Sequence, residues 1–370
     1  MSRYPIKLRE ISDYLELSRS ELTFRMLPEY CEGYIDFSSN DYLGLSKDTR
    51  VIEAGIEAAQ KYGAGATGSR LLSGNFELFD AFEKQIAKDK GTEDALIFNS
   101  GYHSNAGILE CLADKKTLVI FDKLNHASMY QGVFASGAKL LRFHHLDYEN
   151  LEELLQQNVN SFPKIIVVSE TVFGMDGDIA DVATLSKLSH QYGALLYLDE
   201  AHATGLYGIN GYGISTLFEL DKSQTIIMGT LSKALGGLGG YVACSSMIKS
   251  FLLQKCKSFI YSTALSPFCV GAAAKSWEII RTLDDARAEL LRRAQDLREK
   301  LGGAGKGTNI IPVLFEHTAD MLMKRGELQG AGIIVSAIRR PTSPTPRLRI
   351  ALSTRHSDED VAKLLEAFGI

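Results

Sequence analysis

The sequence predicts an α/β protein: a helix-and-loop segment over residues 1–45, a large three-layer α/β/α domain over 46–270 and a small α+β domain over 271–370. Two observations carry this. Short apolar runs alternate with longer stretches of helical spacing, and several runs are apolar throughout, as strands buried on both faces of a mostly parallel sheet should be. Beyond residue 275 the pattern changes to charged amphipathic helix followed by a few more strand-like runs.

The runs "DALIF" (94–98), "TLVIF" (117–121), "KLLRF" (139–143), "KIIVVS" (164–169), "ALLYLD" (194–199), "TIIMG" (225–229) and "YVACS" (241–245) read as the strands of the large sheet. Between them, "ATLSKLSHQYG" (183–193) shows helical spacing and a glycine stop. Residues 276–301 read as one long charged helix or a helix pair. "NIIPVLF" (309–315), "GIIVSAI" (332–338) and "RLRIALS" (347–353) read as strands. The closing helix, 357–368, opens with a capping box at Ser357 and Asp360.

The 370 residues are 45% hydrophobic, ample for a large core, and the formal net charge is −5. No basic block suggests a nucleic-acid or membrane surface. Cys31, Cys111, Cys244, Cys256 and Cys269 are odd in number and form no C-x-x-C pair, so reduced thiols are expected rather than a zinc site or disulfide framework. No apolar signal core or spanning run is present, and a cytoplasmic protein is expected.

Three motifs mislead. "GAGATG" (63–68) fits G-x-G-x-x-G, but a helical pattern precedes it where a dinucleotide site needs a strand. "LLYLDEAH" (195–202) resembles the magnesium strand of a nucleic-acid motor, yet no G-x-x-x-x-G-K-[ST] loop accompanies it. His144 and His145 lack a third ligand at usable spacing, so a structural role is the plainer reading and no metal is expected.

A different constellation remains. "GTLSKALGGLGG" (229–240) sets Lys233 among residues with almost no side chain. Asp199 ends one strand and Lys233 lies just beyond the next, 34 residues on. Ligands in open α/β sheets bind at the carboxyl ends of strands, so Asp199, His202, Thr230 and Lys233 share an edge. Gly101 and Tyr102 open a helix after a strand, a natural phosphate site. His126 follows another strand at that edge. Alone, each residue has a bland reading: a lysine beside glycines is ordinary surface chemistry, and an aspartate at a strand end is often a cap. Together, an amine, a carboxylate, an imidazole and an anion site are explained jointly by pyridoxal 5′-phosphate. The amine forms a Schiff base, and the carboxylate keeps the pyridine nitrogen protonated.

From "SSNDYLGLS" (38–46) onward the chain resembles the α-oxoamine synthases, a branch of the fold-type I pyridoxal-phosphate enzymes with the aspartate aminotransferase-like fold. The resemblance rests on "YGAGATGSRLLSGN" (62–75), "FNSGYHSNAG" (98–107), "DKLNHAS" (122–128), "ETVFGMDGDIA" (170–180), "LDEAHATGLYGINGYG" (198–213), "GTLSKALGG" (229–237) and "YSTALSP" (261–267), in the family's order. It implies that Lys233 is the Schiff-base lysine and acid/base. It further implies that Asp199 pairs with the pyridine nitrogen, that His126 stacks on the ring, and that His202 hydrogen-bonds the phenolic oxygen. Gly101, Tyr102 and Thr230 would bind cofactor, while Ser262 and Thr263 would reach the phosphate of a partner subunit, implying a homodimer. Arg339 would hold the substrate carboxylate by a bidentate pair, with Asn40 nearby and Thr342 and Arg25 facing substrate.

"AIRRPTSPTPRLRIALSTRH" (337–356) most resembles the 8-amino-7-oxononanoate synthase branch. That implies condensation of L-alanine with a pimeloyl thioester, on CoA or a carrier protein, with loss of carbon dioxide, early in biotin synthesis. The alternatives are a ligase joining glycine to acetyl-CoA, or an inactive homologue serving as partner subunit. The chain departs from the family pattern at Gly174, where serine is usual, and at Phe79, where many members have histidine.

Overall fold

A computed structural model describes residues 6–27 and 32–370. One sheet of seven strands has the order Asp94–Phe98, Gly240–Cys244, Thr225–Thr230, Leu195–Asp199, Lys164–Glu170, Thr117–Asp122, Lys139–Phe143. From Thr225–Thr230 to Lys139–Phe143 every pairing is parallel. Gly240–Cys244 runs antiparallel to both neighbours, so one strand of the sheet is reversed.

Burial explains why the runs lack alternation. Along Thr117–Asp122, Leu118 and Ile120 enter one core while Val119 and Phe121 enter another on the opposite face. Along Thr225–Thr230, Ile227 faces one side and Ile226 and Met228 the other. Fully burying each such side chain stabilises the fold by about 1.5–3 kcal/mol.

Helices cover both faces. Val182–Gln191 starts where Asp181 accepts the Thr184 N–H at 3.0 Å. The charged stretch is a pair, Pro267–Ile280 and Asp284–Leu301. Pro267–Ile280 runs across residue 270 and packs closely on Thr49–Tyr62: a Cβ at Gly271 would come within 2.6 Å of the Ala58 Cβ. Only a glycine permits that approach.

A three-stranded antiparallel sheet follows, in the order Ser336–Ile338, Arg347–Ala351, Ile310–Leu314. A short strand, Ile35–Asp36, pairs in parallel with Ile333–Ile334 and so ties an early segment to the C-terminal part. The last helix, Asp358–Phe368, carries the expected capping box: Ser357 Oγ accepts from Asp360 N at 3.1 Å, and Asp360 accepts from Ser357 N at 2.9 Å.

The misleading motifs resolve structurally. Gly63 caps the helix Thr49–Tyr62, so "GAGATG" follows a helix. Glu200 is buried and paired with Lys90, and accepts the Ser215 N–H at 2.7 Å, so it holds a loop in place. His145 bridges Asp122, at 2.9 Å, and Asp178, at 3.3 Å. Burial opposes its charge, but the two aspartates prevail and push it up to about 9. Among the described residues no cluster could hold a metal ion, and no helix is long and apolar enough to cross a membrane. Cys111, Cys244, Cys256 and Cys269 are free thiols; Cys31 lies outside the described residues.

Candidate active site

The parallel strands deliver their last residues to one edge: Glu170, Asp199 and Thr230. At the same edge Gly101 opens the helix Gly101–Leu112, and His126 caps Ala127–Ser136. Lys233 stands in the loop that follows Thr225–Thr230. Its Nζ lies 2.7 Å from His202 Nε2. His202 Nδ1 lies 2.8 Å from the Tyr42 hydroxyl, which donates to Asn40 Oδ1 at 2.9 Å. Arg349 closes the chain from the small sheet, donating through Nη2 to the Tyr42 hydroxyl and to Asn40 Oδ1, each at 3.0 Å.

Asp199 is buried. Its Oδ2 accepts from Asn105 Nδ2 at 2.8 Å and its Oδ1 from Ala201 N at 2.8 Å. Asn105 is itself oriented by the Tyr197 hydroxyl, which donates to its Oδ1 at 2.8 Å. Glu170 is also buried and accepts the Gly174 N–H at 3.4 Å.

The electrostatics follow from burial beside like and unlike charges. Lys233 is lowered to about 8 by loss of solvent, with Asp199 and Glu170 opposing and Arg349 adding to the shift. His202 is held well below its ordinary value by burial, then by the charges of Lys233 and Arg349. His126 is lowered by desolvation; Asp199 opposes this and Lys233 reinforces it. His126 Nδ1 faces the Ser128 N–H at 3.3 Å and the Ser128 hydroxyl at 2.7 Å. A ring accepting at Nδ1 carries its proton on Nε2, so His126 presents a donor to the open side.

A helix start with free backbone donors adjoins these groups. Ser100 takes up the first free donors of Gly101–Leu112: its Oγ accepts from His103 N at 3.2 Å and its carbonyl from Ser104 N at 3.0 Å. The Gly101 and Tyr102 N–H groups are the donors the helix start leaves for an anion. Thr230 lies against Gly101, where a Cβ would be 3.5 Å from its Oγ1. An amine, a carboxylate, imidazoles and a helix start able to take an anion are the donor set that pyridoxal 5′-phosphate requires, and the residues present fit it.

Other expected site residues sit apart from this hydrogen-bonded cluster. Arg339 donates through Nε to the Leu22 carbonyl at 2.5 Å and through Nη2 to the Phe24 carbonyl at 2.6 Å. Arg25 donates to Thr342 Oγ1 at 3.1 Å. These contacts fasten residues 22–25 to the 339–342 turn. Asn99 Nδ2 donates to the Thr263 carbonyl at 2.7 Å, placing the 262–263 loop beside the helix start at Gly101.

Tyr42, Asn105, Glu170 and Arg349 join the site without a motif that marks them in the sequence. Glu170 and Arg349 carry a signal, a charge inside a largely apolar buried strand, whereas Tyr42 and Asn105 lie in polar stretches that carry none. Arg349 is buried in "RLRIALS", and Arg347, two residues away on the same face, pairs with Asp176. Together with Arg349 Nε on the Gly174 carbonyl at 2.5 Å, the two arginines clamp the 174–176 loop.

Comparison with known proteins places the chain in a family. The model of the family described as aminotransferase class I and II matches residues 32–368. A relative from Magnetococcus marinus, named "Putative 8-amino-7-oxononanoate synthase", is 41% identical over 345 residues, covering 90% of this chain and 87% of that protein. A Bacillus cereus relative of the same name is 41% identical over 334 residues, covering 88% and 84%. Among solved structures, Sphingomonas wittichii serine palmitoyltransferase superposes with a TM-score of 0.87 at 29% identity, covering 99% of this chain and 97% of that one. A structure described as SPT with PLP internal aldimine gives 0.88 at 27%, covering 99% and 98%. The 8-amino-7-oxononanoate synthase of Francisella tularensis gives 0.77 at 28%, covering 91% and 97%. The fold is that of the fold-type I pyridoxal-phosphate transferases, and the cofactor is pyridoxal 5′-phosphate. Fold and likeness converge, and the chain belongs to the aminotransferase class I and II family.

Proposed function

We propose that this protein is an acyltransferase that condenses L-alanine with a pimeloyl thioester to give 8-amino-7-oxononanoate, carbon dioxide and the free thiol. The relatives 41% identical over nearly the whole chain carry this reading. In the net reaction a bond forms between the alanine α-carbon and the acyl carbonyl carbon, and the C–S bond breaks. The alanine carboxylate leaves as carbon dioxide, and a proton replaces it.

When bound, pyridoxal phosphate supplies a conjugated ring that accepts the electrons released at the α-carbon. Lys233 would carry it, Asp199 would hold a proton at the ring nitrogen, and His126 would lie against the ring. Gly101 and Tyr102 would seat its phosphate and Thr230 would also bind the cofactor, with Ser262 and Thr263 reaching the phosphate of a partner subunit in a homodimer. Lys233, lowered to about 8, is a base suited to neutral pH: it takes the α-proton and later returns one. His126 offers its Nε2–H to the acyl oxygen as charge develops there. Arg349, a buried cation joined to Asn40 and Tyr42, supports assignment as the carboxylate anchor. Arg339, Arg25 and Thr342 would order the segment that closes over the acyl side. We place the reaction in the cytoplasm, where acyl thioesters are made.

The higher structural similarity to serine palmitoyltransferase favours one second reading, with L-serine and a long acyl thioester. Visible-absorption titration of the cofactor-loaded protein with L-alanine, L-serine and glycine separates them. Saturation at the lowest concentration with alanine supports the proposal. Preference for serine or glycine replaces it with the corresponding reaction.

A further inference from the structure

His126 is exposed, so packing does little to place its ring. On one side it is held through Nδ1 by Ser128, at the start of Ala127–Ser136. On the other side only residues 123–126 separate that helix from the strand Thr117–Asp122. What fixes the ring there must lie in this short connection.

Asn125 is buried and bonds across to the neighbouring strand. Its Nδ2 donates to the Val168 carbonyl at 2.8 Å, and its Oδ1 accepts from Glu170 N at 3.1 Å. Both partners are backbone groups of fixed polarity, so one orientation of the amide satisfies both. The last backbone pair between Thr117–Asp122 and Lys164–Glu170 is Phe121 with Val168. Past it the chain turns, and Asn125 N donates to the Asp122 carbonyl at 3.1 Å. The Val168 carbonyl and the Glu170 N–H flank Ser169 and are the two groups that one further residue of a parallel strand would bond. A side-chain amide offers a donor and an acceptor as a peptide does, so Asn125 supplies that rung after the backbone has left the sheet. The clasp is reciprocal, because the Glu170 carboxyl in turn accepts from the His126 N–H.

We propose that Asn125 is a positioning residue for His126: its side-chain amide extends the sheet by one rung and so fixes where the His126 ring meets the cofactor. The proposal rests on the reading of His126 as the neighbour of the cofactor ring, and on no particular amino acid or thioester.

A double-mutant cycle on pyridoxal phosphate binding tests it, with Asn125→Asp, His126→Ala and the double variant. The readouts are the dissociation constant from equilibrium dialysis and the circular dichroism of the visible band. Asn125→Asp keeps the volume and removes the donor. It should weaken binding about tenfold, the order that an unpaired buried carbonyl implies, and alter the visible dichroism. In the His126→Ala background the same change should weaken binding by less than about twofold, because the residue it acts through is gone. Equal factors in the two backgrounds would overturn the proposal, since a purely structural asparagine acts without regard to His126. An unchanged constant in His126→Ala would overturn the reading of His126, and the proposal with it. Should Asn125→Asp fail to fold by far-ultraviolet circular dichroism, Asn125→Gln, with both groups on a longer arm, replaces it in the cycle with the same coupling expected. No substrate enters the measurement, so failure of the alanine and pimeloyl assignment would leave the result unaltered.

Discussion

Glu170 and Asp199 are register partners on adjacent parallel strands, so their carboxyl groups leave the same face of the sheet side by side. Both are buried. Loss of solvent, and then the Asp199 charge, raise Glu170 from 4.5 to about 8, against the pull of Lys233 and the Gly174 and His126 N–H groups. At neutral pH Glu170 keeps its proton, and the pair does not carry two charges.

The linkage has a definite sign. Glu170 binds its proton more tightly folded than unfolded, so its contribution is complete below pH 4.5 and lost as pH rises through about 8. Lys233, lowered from 10.5 to about 8, acts in the opposite direction only above that pH. Glu170→Gln should therefore flatten the fall in stability between these limits, measured as urea midpoints from pH 5 to 8. An unchanged slope would show that Glu170 is ionised at neutral pH.

Lys233→Ala should abolish turnover and the lysine-linked visible band while circular dichroism stays native, because Lys233 lies in a loop and its hydrogen bond is to His202. Turnover by the variant would remove Lys233 from the chemistry.

Asn105→Ala removes the donor on Asp199 Oδ2 and leaves a buried acceptor unpaired. The expected loss is about 1–3 kcal/mol of stability, with weaker cofactor binding. Denaturant unfolding and equilibrium dialysis check the two effects. Unchanged values in both would mean that Asn105 does not support Asp199.

The two arginines should separate kinetically. Arg349→Lys keeps a charge but not the geometry that spans Asn40, Tyr42 and Gly174, so KM for the amino acid should rise about tenfold or more. Arg339→Lys frees the Leu22 and Phe24 carbonyls, so limited proteolysis near residues 22–25 should accelerate with a smaller effect on that KM. The reverse ranking would restore Arg339 as the carboxylate anchor.

All seven strands of the large sheet were legible as short, largely apolar runs; six are buried through most of their length, and Lys139–Phe143, at the edge of the sheet, is only partly buried. The run at 332–338 reads as one strand in the sequence, but it serves two sheets: Ile333–Ile334 pairs with Ile35–Asp36, and Ser336–Ile338 with Arg347–Ala351. A change of partner along one apolar run leaves no mark in its periodicity. Asp199 was legible as a polar residue ending a strand, and His202, Lys233 and His126 as polar residues shortly past strand ends. Tyr42 and Arg349 were not, because their roles come from contacts across more than 300 residues of chain, such as Arg349 with Tyr42. A tyrosine in "NDYLGLS" otherwise reads as core.

The most direct measurement is mass-spectrometric identification of the product formed by the cofactor-loaded protein from pimeloyl-CoA and L-alanine, beside parallel reactions with glycine and acetyl-CoA and with L-serine and palmitoyl-CoA. Formation of 8-amino-7-oxononanoate with equimolar carbon dioxide and thiol, and only trace product in the other reactions, is the expected result. No product from alanine, with efficient turnover of another pair or of none, would contradict it.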